Sequence, residues 1–166
     1  MHCVGDKIVY GSNGIMEIVD IREESIGDVA RNYYVLKDLR VNSLCQTFVP
    51  VDNEKLVGTM RPILTKNEVM GIICRIKSIP AAEWQDDNRI RTEKFRNVIE
   101  SCDTEGMIAI IKAIYEHGIK RQEEGKKNYL ADENLLRKAE RMLYAEFATV
   151  LGIDENEVRD FIAEHC

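Results

Sequence analysis

The apolar periodicity of this chain changes once, between Gly58 and Pro62, and that change limits the folds open to it. Before it, apolar residues come in short runs broken by Gly, Asn and Asp: GDKIVYGSNG, IMEIVDIREE, NYYVLKDL and LCQTFVPV. Runs of this length, rich in β-branched and aromatic residues, suit strands, whose pleated surface takes such side chains at alternate positions. Gly11 and Gly14 flank Ser12-Asn13, a tight turn between the first two runs. IMEIVDIREE keeps its alternation only imperfectly. Pro50 marks a strand end or a sheet edge, since it cannot donate to a ladder. The expectation is a small antiparallel barrel or sheet.

After Pro62 the apolar residues recur at helical spacing. Thr65-x-x-Glu68 forms a capping box before VMGIICRI. From about Asp87 to Ser101, Ile90, Phe95, Val98 and Ile99 fall within half a turn of arc. Asp103 or Thr104 caps a helix carrying Met107, Ile108, Ile110, Ile111, Ile114 and Tyr115, which stops near Glu124-Gly125. Asp132 is expected to open a further helix, with Leu135, Leu136, Ala139, Met142, Leu143 and Phe147 on one side and Gly152 at its end. Asp154-x-x-Glu157 caps a last short helix with Val158, Phe161 and Ile162. The expected class is α+β, with a β domain over 1–62 and a helical domain of about five helices over 63–166.

Several function classes are disfavoured. The 166 residues carry a net charge of -6, so any contact with nucleic acid must rest on local charge. No apolar run approaches the roughly 20 residues a bilayer span needs, and no membrane contact is expected. MHCVGDKIVYG lacks the pattern of a secretory signal. Cysteines at 3, 45, 74, 102 and 166 form no CxxC pair and no even framework, which suggests reduced thiols and a cytoplasmic location. His2, His117 and His165 are too dispersed to suggest a metal site. No HExxH, GxSxG, Walker or GxGxxG pattern occurs. Asp86 and Asp87 are adjacent acids at a helix start, where capping and the helix dipole favour them. Cys102 lies near a helix N-terminus, but a small residue in a helix connection explains it better than a reactive thiol. Neither enzyme chemistry nor a cofactor or metal is expected.

The charge is uneven. Residues 89–141 hold 12 basic and 10 acidic residues, while 142–166 hold 1 basic and 6 acidic. Basic residues cluster at Arg89, Arg91, Lys94 and Arg96, at Lys120, Arg121, Lys126 and Lys127, and at Arg137, Lys138 and Arg141. Arg89–Glu93 and Arg96–Glu100 have i,i+4 spacing and lie opposite the apolar arc, whereas Arg91 and Lys94 are read as flanking it. Composition alone favours a solvated, salt-bridged surface over a nucleic-acid contact.

The order of parts then resembles a known family. VGDKIVYGSNGIMEIVDI, RNYYVLKDL and TFVPVDN, in that order, resemble the N-terminal module of the CarD/CdnL family of bacterial transcription regulators. The same module is similar to the RNA-polymerase-interacting domain of transcription-repair coupling factors. EWQDDNRIRTEKFRNVI and the helices after it resemble that family's C-terminal domain. The family's YPxHG turn reads Tyr10-Gly11-Ser12-Asn13-Gly14 here, without the proline or histidine. The resemblance implies a Tudor-like barrel that docks on the polymerase β subunit through an edge strand, with Arg22, Thr47, Phe48 and Val49 as candidate contacts. Barrel core is an equal alternative for Phe48 and for Val49, and Tyr33 and Tyr34 must face opposite ways in one strand.

The resemblance further implies that the helical domain touches promoter DNA at the upstream edge of the melted region. Trp84, the single tryptophan, would enter the minor groove, and Arg89, Arg91 and Lys94 would hold phosphates without reading sequence. The implied function is a monomeric, non-enzymatic regulator that stabilises the open complex. The alternatives are a polymerase-binding adaptor with little direct DNA contact and an enzyme with a dispersed site.

Overall fold

The computed structural model describes residues 2–26, 29–39 and 45–166. Leu44, expected at the start of the fourth strand run, lies outside the described residues. The chain divides into two units, Met1–Ile63 and Leu64–Cys166. The class is α+β: a five-stranded antiparallel sheet, then a helical unit.

In the first unit, β1 (Lys7–Tyr10), β2 (Ile15–Ile26), β3 (Val29–Asp38), β4 (Gln46–Pro50) and β5 (Met60–Pro62) are ordered β4-β3-β2-β1-β5. A 3-10 turn, Gly11–Asn13, joins β1 to β2, with Gly11 at φ 46 and Gly14 at φ 90. These left-handed angles explain the two glycines of the sequence turn. Ile8, Met16, Ile18, Tyr34, Leu36, Val49 and Met60 form the core of this unit. One short helix, α1 (Glu54–Val57), is capped by Asn53, whose side chain accepts from the Leu56 N–H at 3.1 Å.

The imperfect alternation in IMEIVDIREE has a structural cause. Ile18 pairs with Leu36 and Asp20 pairs with Val35, so Val19 is an extra residue, a β-bulge. Before the bulge, Met16 and Ile18 face the core. After it the side chains change faces, and Asp20, Arg22 and Glu24 share the side away from that core.

The second unit contains five helices: α2 (Lys66–Arg75), α3 (Asn88–Glu100), α4 (Thr104–Glu123), α5 (Leu130–Leu151) and α6 (Val158–His165). Both expected capping boxes form, at Thr65/Glu68 and at Asp154/Glu157. Asp87 caps α3 and Asp103 caps α4. Val69, Ile72 and Ile73 of α2, Ile108 of α4, Leu143 and Phe147 of α5 and Val158 of α6 share one core. On α3 the buried face is Arg91, Phe95 and Ile99. Ile90, expected on that face, is 55% exposed. Asp132, expected to open α5, is the third residue of a helix whose N-cap is Tyr129.

Gly152 ends α5 at φ 72, and its amide donates to the Ala148 carbonyl at 2.8 Å. A Cβ there would meet nothing within 4 Å, so only the left-handed backbone demands glycine. Gly152→Ala should therefore cost about 1–2 kcal/mol, measured by urea unfolding of the full chain.

Candidate functional site

Each unit presents one surface that gathers the residues singled out by the sequence. In the first unit these residues lie on the sheet face away from the core around Ile8 and Leu36, where Arg22 is exposed and Phe48 half-buried while Tyr33 and Val35 are buried. Arg22 on β2 lies opposite Tyr33 on β3, and Val35 on β3 lies opposite Phe48 on β4. The Tyr33 and Phe48 rings meet edge to face at 6.3 Å, and the Arg22 guanidinium sits 5.7 Å from the Phe48 ring centre. Arg22 is also bracketed by acids, with Nε donating to Glu24 at 2.7 Å and Nη1 to Asp20 at 3.3 Å. These exposed pairs hold the side chain's direction more than they stabilise the fold.

The structure thus brings Arg22 and Phe48 together and separates them from the other two candidates. Val49 is fully buried in the core of the unit, so its side chain is not available to a partner. Thr47, two residues away, shares its face and is half-buried. Tyr33 and Tyr34 do face opposite ways: Tyr34 joins the core, while Tyr33 lies beneath Phe48. Strand β4 ends the sheet, with no strand paired on its outer side among the described residues.

In the second unit, Trp84 lies in a segment without regular structure between Ile79 and Asp87. This segment is tied down along its length. The Lys112 ammonium donates to the carbonyls of Ile76 at 2.6 Å and Ile79 at 2.5 Å, and the Ile76 carbonyl also accepts the Ile79 N–H at 3.3 Å. The Ala82 amide donates to the Ala109 carbonyl at 2.9 Å. Arg91 then holds the far end: Nη1 donates to the carbonyls of Gln85 at 2.6 Å and Asp86 at 3.5 Å, and Nη2 to Asn88 Oδ1 at 2.9 Å.

Arg91 is 1% exposed, and this corrects its expected role. Its Nε and Nη2 form a two-pronged pair with the Asp132 carboxylate, at 3.1 and 2.9 Å. All of its guanidinium N–H groups are therefore committed within the protein, and none is left for a phosphate. The sequence carried the signal. Arg91 follows Ile90 by about 100° of helix rotation, inside the arc defined by Phe95, Val98 and Ile99. Asp132 likewise sits three and seven residues before Leu135 and Ala139, on the buried face of α5.

The Trp84 ring rests against three side chains. His117 of α4 stacks on it with ring centres 3.7 Å apart and planes 24° apart. Arg91 lies 4.2 Å from its centre, and Phe95 meets it edge to face at 6.3 Å. The ring is partly buried, so it is neither a core side chain nor a fully presented one. Tyr129, 43% exposed, adjoins the cluster, with Arg91 at 5.4 Å and Arg121 at 4.0 Å from its ring. Lys94 is exposed and pairs with Glu83 at 3.1 Å. Arg89 is exposed on the outer side of α3. The i,i+4 pairs Arg89–Glu93 and Arg96–Glu100 do not close to ion-pair distance among the described residues. His117, Tyr129 and Asp132 were not foreseen as part of this site. Among the described residues no cluster of His, Cys, Asp and Glu could hold a metal ion, and no helix is long and apolar enough to cross a membrane.

Breaking the buried pair should be costly, because the remaining charge would be left uncompensated. Asp132→Ala or Arg91→Ala should lose about 3–5 kcal/mol, read by urea unfolding. Arg91→Met combined with Asp132→Leu should recover much of that loss.

Comparison with known proteins bears on the first surface. No curated protein sequence matches the chain. Residues 3–64 match the family model described as the CarD-like/TRCF RID domain. The match ends at Leu64, so it covers the five-stranded unit and stops before α2. Residues 3–64 are therefore similar to a CarD-like/TRCF RID domain, and the likeness belongs to the N-terminal unit.

Proposed function

We propose that the protein regulates transcription initiation by binding RNA polymerase through its N-terminal unit and touching promoter DNA through the Trp84 segment. The match of residues 3–64 to the CarD-like/TRCF RID domain carries the first half of this reading. The polymerase β subunit is the proposed partner, and a single copy of the chain suffices. The Arg22–Tyr33–Phe48 face supplies a cation beside aromatic surface, and the outer edge of β4 supplies backbone groups for strand addition. Thr47 would act through its backbone on that edge.

The second half rests on Trp84. A partly exposed indole on an anchored segment can wedge at a distorted base step without a large ordering cost. Arg89 is the cation best placed to reach phosphate, and Lys94 can do so by releasing Glu83. A wedge that fits only the melted junction binds the open complex better than the closed one, and that difference shifts the equilibrium. The contact is with minor groove and phosphates, so no sequence is read. A protein of net charge -6 can manage this because the polymerase tethers it to the promoter.

The burial of Arg91 favours a second reading, a polymerase-bound adaptor with little DNA contact, since it removes one of the expected phosphate ligands. Open-complex lifetime separates the two. Trp84→Ala should shorten the lifetime about tenfold, which corresponds to about 1.4 kcal/mol, while retention on core polymerase is unchanged. Equal lifetimes would support the adaptor. Phe48→Ala should weaken polymerase retention at least about tenfold, a loss of about 1.4 kcal/mol, and unchanged retention would remove this face from the interface.

A further inference from the structure

His117 has no part in the function proposed above, yet it makes the closest contact with the Trp84 ring, at 3.7 Å. Its place on α4 follows from the apolar arc, three residues after the buried Ile114. Its Nδ1 is buried and has no hydrogen-bond partner among the described residues. The charged groups facing it are Lys120 from its own helix and Glu124 at that helix's end, Arg91 from α3, Asp86 from the Trp84 segment and Asp132 from α5.

We propose that His117 is the positioning residue of Trp84, and that a proton taken up by His117 in acid unseats the indole. Engagement of nucleic acid by Trp84 then becomes pH-dependent. This proposal rests on the reading of Trp84 as a nucleic-acid contact. As a neutral ring, His117 gives the indole a flat platform. As an imidazolium it would place a second cation beside Arg91, which Asp132 already fixes 4.2 Å from the same indole. The indole face attracts a cation, but an imidazolium and the Arg91 guanidinium held against the same ring would repel each other. Asp132 and Asn88 are in turn occupied by Arg91, so neither is free to compensate a second charge.

The titration of His117 agrees in direction. Burial foremost, and then Lys120 and Arg91, lower its pKa from the ordinary 6.5, while Asp86 and Asp132 oppose this without reversing it. A His that folding keeps neutral contributes stability that is complete above its unfolded value. That stability is lost as pH falls through 6.5 toward the lower folded value. The seat is therefore intact at neutral pH and weakens in acid.

Because Trp84 is the single tryptophan, its emission reports on the seat in the full-length free protein. The titration runs from about pH 8 to about pH 5, bracketing a histidine, for the wild type, His117→Phe and His117→Gln. Far-UV circular dichroism is followed in parallel. Wild-type emission should change in one transition below 6.5 while helicity holds, and both variants should lack it. His117→Phe keeps a flat ring that cannot be protonated, so it separates a platform from a charge. In open-complex lifetimes normalised to polymerase alone, the wild-type lengthening should fall about tenfold across the same transition, and His117→Phe should retain it. The proposal is overturned if the emission transition is missing in the wild type or survives in His117→Phe. It is also overturned if emission shifts but wild-type lifetimes do not; there the shortening by Trp84→Ala shows that the DNA contact itself stands. Loss of any Trp84→Ala effect would instead remove the DNA contact.

Discussion

The Arg91–Asp132 pair is the constraint on which the helical unit's functional surface depends. Taking two charges out of water is expensive and is offset only when geometry and hydrogen bonding are complete. Here they are. The guanidinium meets the carboxylate with two N–H groups and spends the rest on Asn88 and the carbonyls of Gln85 and Asp86. The positive end of the α5 dipole also favours the Asp132 carboxylate, which lies in the helix's first turn. A lysine could not replace this arginine, since its ammonium has neither the fork nor enough donors. The pair therefore joins α3, α5 and the Trp84 segment through a single residue.

That arrangement also explains why the outline was more legible than the site. Caps and periodicity are local signals, and they located four of the five strands, the capping boxes at Thr65 and Asp154 and the helix stop at Gly152, but not β5 or α1. Charge is a poorer guide, because an arginine in a basic cluster looks like a surface residue whether or not it is one. Arg91 shows the remedy: its position on the helix was more informative than its chemistry. His117 and Asp132 both occupy apolar arcs, but nothing local links them to Trp84. Their meeting is a product of tertiary packing between α3, α4 and α5.

The two surfaces are built differently, and this suits different partners. The sheet face has an arginine bracketed by acids above two rings, all on paired strands with a regular register. Its two acids outnumber its one arginine, so its local charge is slightly negative. The helical surface carries its aromatic ring on an irregular segment that Lys112, Arg91 and the Ala82–Ala109 hydrogen bond anchor along its length. Under the proposed function, the first would meet a protein surface and the second a distorted duplex.

The extra residue at Val19 has a consequence for how the chain tolerates change. Up to Ile18 the second strand answers to the core, and from Asp20 onward it answers to whatever lies outside. The bulge is a frame-shift in the geometry of the backbone. Pairing Val19 into the ladder without a bulge would set Asp20 opposite Tyr34 and turn Asp20, Arg22 and Glu24 toward the packed face, whereas deleting Val19 would leave all three on the outer side. The bulge, and not the spacing of the polar residues along the chain, is thus what keeps these three charges on the outer side.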